Sequence, residues 1–168
     1  MRQFGKLLVG AMSALSLVVV GSATAFAHED HRILVFDSMT AVTGSAVGAV
    51  NDRGLTGGGL PWVISTGGGS VTREGHVQVS VTGLVIPARG NTNPVANFKA
   101  IVSCVTQHHV IVNVSTGLFP ASIAGNSTIV ADVTLPSHCS HPLLFVTSPG
   151  GAWFAVSNPR DDDEEGDD

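Results

Sequence analysis

Residues His76 to Thr82 read HVQVSVT, and their alternation leaves little choice of local structure. Val77, Val79 and Val81 point one way, and Gln78, Ser80 and Thr82 point the other. A period of two marks a strand with one face buried. The pattern recurs along the chain. Residues 97–106 set Phe98, Ala100, Val102 and Cys104 on one face, and residues 110–115 do the same with Val110, Val112 and Val114. Residues 127–135 set Ile129, Ala131, Val133 and Leu135 against Thr128, Val130, Asp132 and Thr134. Further strands are predicted at Arg32 to Phe36 and at residues 60–64, 143–147 and 152–157. No segment carries a helical apolar period. About eight short strands without intervening helices predict an all-β fold, an antiparallel β-sandwich of immunoglobulin-like type over residues 28–159.

The punctuation agrees. His108 and His109 sit between two strand patterns, as in a hairpin. Gly83 interrupts a run that resumes at Leu84, Val85 and Ile86, so it predicts a bulge or bend. Ser148-Pro149-Gly150-Gly151 predicts a turn of type II, with Pro presetting φ and Gly allowing a positive φ. Residues 54–69, GLTGGGLPWVISTGGG, are expected to form two flexible turns flanking a short strand through Trp62. The alternative, a phosphate loop, lacks the Lys-Ser/Thr ending and a following helix. Trp62 and Trp153 are expected to pack in the core or at its edge. A tryptophan platform for sugars is the alternative.

Residues 1–27 differ from the rest. Arg2 and Lys6 precede an apolar stretch from Leu7 to Val20, and Ala25-Phe26-Ala27 supplies small residues for a peptidase. This is the pattern of a secretory signal peptide, with cleavage after Ala27 and a mature chain starting at His28. The apolar run is shorter than the roughly 20 residues of a spanning helix, so no membrane span is expected after cleavage. The expected location is extracellular or in the cell envelope. The net charge of −5 then needs reassignment. Residues 28–160 carry six acids and six bases, and seven further acids lie in DDDEEGDD at residues 161–168. The body is balanced, and residues 160–168 are expected to be a disordered acidic tail with only weak, nonspecific cation binding. So few bases argue against a nucleic-acid partner.

Cys104 and Cys139 are the only cysteines. In a chain routed to an oxidising compartment they predict one disulfide. A free catalytic cysteine would need a thiolate-activating context, and none is visible. The histidines are the most suggestive feature. The mature chain would begin His28-Glu29-Asp30-His31, a second cluster is His138-Cys139-Ser140-His141, and His108-His109 is a third. A mature N-terminal histidine offers both imidazole and amine to a metal. Exported copper carriers and lytic polysaccharide monooxygenases use such a group on sandwich folds, and the likeness here is confined to that histidine and the all-β composition. Copper held by His28 with His31, His108, His109, His138 or His141 is therefore the alternative to histidines that merely lie on surface loops.

Catalytic signatures are missing. HEDH is not H-E-x-x-H, no G-x-S-x-G elbow occurs, and no pair of carboxylates is singled out for glycoside hydrolysis. Asn113-Val114-Ser115 and Asn126-Ser127-Thr128 match the glycosylation sequon, which matters only in a glycosylating host. From residue 60 to residue 157 the order LPWV, GLVIP, NPVANFKAIVSC, TLPSHC and FVTSPGGAWFAVS is similar to small exported bacterial proteins with no assigned activity. That resemblance implies export and a β fold, and supplies no catalytic or binding residue. The expected function is thus a secreted, non-enzymatic β-sandwich with a binding or structural role toward an unidentified envelope or extracellular partner, with no cofactor. An exported copper-binding protein is the alternative.

Overall fold

Strands of β-branched and aromatic residues, cut by glycine and proline, build two antiparallel sheets. A computed structural model describes residues 31–160 of the chain. The proposed signal peptide, His28 and the acidic residues 161–168 lie outside the described residues. The strands are β1 (Arg32–Phe36), β2 (Ser38–Ala41), β3 (Thr66–Thr72), β4 (His76–Thr82), β5 (Asn97–Val105), β6 (Ile111–Ser115), β7 (Phe119–Pro120), β8 (Ser127–Asp132), β9 (Ser140–Thr147) and β10 (Trp153–Asn158). One sheet has the order β1-β3-β4-β8, and the other β2-β10-β9-β5-β6 with β7 on the β5 edge. The expected antiparallel sandwich is what the chain forms, with the two sheets packed face to face.

The core follows the alternation. Val77, Val79 and Val81 of β4 are buried with Ile129 of β8, against Ala100 and Val102 of β5 and Leu144 and Val146 of β9. Trp62 stacks on Phe154 at 4.0 Å between ring centroids, and Phe98 meets Phe154 edge-on at 5.8 Å. Both tryptophans are buried, as core packing requires. In β5 the opposite face is buried too, at Ile101 and Ser103. The long connection between β2 and β3 supplies the cover. Leu55 is buried, Arg53 reaches Ser103, and Gly57 pairs with Trp153 in a parallel bridge.

Three local expectations need correction. Residues 60–64 do not join a named strand, and Val63 makes only an isolated bridge to Val85. Pro61 has no N–H for a ladder, and the Trp62 N–H goes to the Val42 carbonyl, dropping the indole into the core. Conversely, the second TGGG, at Thr66 to Gly69, is not a turn but the first half of β3. The glycines there allow close approach. A Cβ on Gly67 would meet the Met39 Cγ at 2.7 Å, and one on Gly69 would meet the Val79 Cα at 2.9 Å. Third, the 148–151 turn takes its positive φ at Gly151 and not at Gly150. The Gly151 N–H returns to the Ser148 carbonyl, and a bulge follows at Trp153. This is the type I turn with a left-handed residue that a three-residue hairpin loop favours.

Candidate functional site

The strand directions gather the histidines. β5 runs toward the hairpin that carries His108 and His109, and the Thr106 and Val110 backbones close that hairpin. β9 is antiparallel to β5 and begins where Ser140 faces Val105, so His138 and His141 share this end. β10 runs back beside β9, and β2 beside β10, with Ser38 opposite Asn158. β1 precedes β2, so His31 projects to the same end. Arg32 faces Thr72, and the Arg73 N–H bonds to the His31 carbonyl. The β3–β4 turn therefore brings Glu74 and His76 there, and Asp132 of β8 faces His76. All six described histidines lie at one pole of the sandwich, and none lies at the other.

Two of them are paired with carboxylates. His31 Nδ1 lies 2.9 Å from Glu74 Oε1, and His76 Nδ1 lies 2.8 Å from Asp132 Oδ1. The hydrogen bond from His31, helped by the backbone and by Thr72, holds the Glu74 carboxyl below its ordinary range. All four side chains are about half exposed or more, so these pairs contribute little to stability. Cys139 bonds to Cys104 with the Cα atoms 4.8 Å apart. The bridge pins the crossing from β8 to β9 and fixes where His138 and His141 sit. Of the residues considered for copper, His31, His108, His109, His138 and His141 share the pole, and His28 lies outside the described residues. Among the described residues, no group of three or more His, Cys, Asp or Glu is gathered closely enough to hold a metal ion.

A groove opens beside this pole, where β1 passes the start of β9. It encloses about 360 Å³ between the β1 residues Ile33 to Val35 and the β9 residues His141 to Leu143. Pro159 and Arg160 close one side, and Arg53 forms part of the wall. Arg160, placed with the tail by the sequence reading, donates its N–H to the Val35 carbonyl and pairs with Asp37 at 3.2 Å.

Sequence reasoning missed Arg53. It sits in the turn Asn51-Asp52-Arg53-Gly54, where the Asn51 side chain accepts from the N–H groups of Arg53 and Leu55. Asn113 of β6 donates to the Arg53 carbonyl at 2.8 Å. The backbone is thus tied on both sides. Its guanidinium donates to the Ser103 carbonyl and hydroxyl, both at 3.4 Å, and to the His141 carbonyl at 2.9 Å. Among the described residues no carboxylate is within ion-pair distance of it. The available signal was the turn itself, since Asn at the first position and Gly at the fourth favour a type I turn. Comparison of the chain with family models, with curated proteins and with solved structures finds no match.

Proposed function

We propose that this chain is an exported, non-enzymatic β-sandwich that acts in the envelope or outside the cell by binding, and that the histidine pole is its binding end. The carrying observation is the segregation of the side chains, with six described histidines at one pole and none at the other. The disulfide and the lack of a membrane-crossing helix among the described residues are compatible with an extracellular location. The signal-like segment and the resemblance of FVTSPGGAWFAVS to small exported bacterial proteins support the same reading. Neither nucleic acid nor a cofactor is part of it.

Photo-crosslinking in the native envelope tests the pole. A photoreactive residue at position 108 or 74 should yield a discrete adduct, whereas one at position 89 or 149, at the opposite pole, should not. Equal adduct formation from both poles, or none from either, would overturn the assignment. A second reading, an exported copper-binding protein using mature His28, is favoured by the placement of His31 on the pole with His138 and His141. Copper titration of the cleaved protein against its His28→Ala variant decides it. Equal affinity in both removes His28 as a ligand.

A further inference from the structure

The groove between β1 and β9 is bordered by Arg53, a cation that the fold holds in place and that pairs with no carboxylate among the described residues. We propose that it is a binding site for a small apolar carboxylic acid, held through Arg53. The donor count carries the chemistry. A guanidinium has five N–H donors. Nη1 donates to the Ser103 carbonyl and hydroxyl, and Nη2 donates to the His141 carbonyl. These bonds use at most three of the five hydrogens and leave the one on Nε unused. The guanidinium edge formed by Nε and the neighbouring Nη2 is a fork that matches the two oxygens of a carboxylate.

The surroundings define the rest of the ligand. Arg160 is occupied by Asp37, so among the described residues the groove offers one positive charge without a carboxylate partner, which favours a monoanion over a phosphate dianion. Ile33, Val35, Pro142 and Leu143 provide an apolar wall, which a hydrocarbon body covers and an acidic peptide does not. The volume is within the range of small-molecule sites. Addition of a peptide strand to β1 is blocked, because Arg160 already donates to the Val35 carbonyl on that edge. The ligand is therefore a free acid of modest length. This site does not depend on the histidine pole having a macromolecular partner, and crosslinking and titration fail independently.

Calorimetric titration of the purified protein with octanoate tests the proposal, with octanol and acetate as matched probes. One equivalent of octanoate should saturate at or below about 1 mM, while octanol, which has no charge, and acetate, which has no tail, should not saturate there. Arg53→Lys keeps the charge and loses the fork, and should bind octanoate about 10- to 100-fold more weakly. Arg53 also ties its loop to β5, so Ile33→Glu provides an independent check. That side chain makes none of those bonds, and a carboxylate in the wall should abolish binding in protein that still unfolds cooperatively, at a lower midpoint because Ile33 packs against the core. The proposal is overturned if octanol binds as well as octanoate, or if both variants bind like the parent. It is equally overturned if octanoate does not saturate by about 10 mM, or if a peptide with an apolar C-terminal residue binds in preference.

Discussion

Removing the disulfide should destabilise this sandwich mainly through the unfolded chain. Cys104 and Cys139 are separated by 35 residues. The enclosed segment contains β6, β7 and β8, which contribute to both sheets. Closing a loop of that length lowers the entropy of the unfolded state enough to stabilise the fold by about 3.8 kcal/mol at 25 °C. Cys139→Ala is the suitable perturbation. It leaves Cys104, which is fully buried, as a thiol that packs like a small apolar residue, so little cavity cost is added. Urea unfolding followed by far-UV circular dichroism should show a loss of about 3–4 kcal/mol. A thermal scan should show a midpoint lower by about 10 °C. Parent protein unfolded in reductant should match the variant. A loss below about 1 kcal/mol would refute the reasoning. So would reduced parent that remains much more stable than the variant, because the effect would then lie in side-chain contacts.

Other consequences follow from packing and charge. Gly69→Ala should cost about 1–3 kcal/mol, since its Cβ meets backbone at Val79, while Gly68→Ala, with contacts of 3.4 Å and longer, should be within about 0.5 kcal/mol of the parent. Paired urea titrations compare them. Phe154→Ala should cost about 3–5 kcal/mol and weaken the near-UV signal of Trp62, because it removes the ring between Trp62 and Phe98. Glu74 has a folded pKa below the ordinary value of 4.5. Its contribution is therefore present above that value and is lost as the pH falls through the lower, folded value. The parent should lose more thermal stability between about pH 6 and about pH 3 than Glu74→Gln does. An equal loss in both would show that the His31 contact has no linkage to folding.

Much of the architecture was legible because burial on one face of a strand imposes a period of two on the sequence. β4 occupies the residues its alternation predicts, and β1, β5, β6, β8, β9 and β10 follow within a few residues. The disulfide pairing followed from having two cysteines and no others. β3 was hidden because three glycines carry no hydrophobic signal, although their missing side chains are what permits β2 and β4 to approach. Residues 60–64 misled in the opposite sense, since Trp62 is buried as a plug and not as a member of a ladder.

The candidate site was less legible. Histidine clusters were visible as local strings, but His76 stood alone in sequence and joined them only when β4 was paired with β8. Arg53 carried no local mark of importance beyond its turn. Its guanidinium acquires meaning from Ser103 and His141, which lie 50 and 88 residues away. The sequence by itself determined the strand alternation, the cross-link and the placement of the net negative charge in the last residues, because each depends on neighbouring positions or on a count. Only the tertiary structure decided that the described histidines share one pole and that an arginine without a carboxylate partner among the described residues borders an apolar groove. Those properties arise from the direction and order of strands, and strand pairing joins residues whose separation along the chain leaves no local trace.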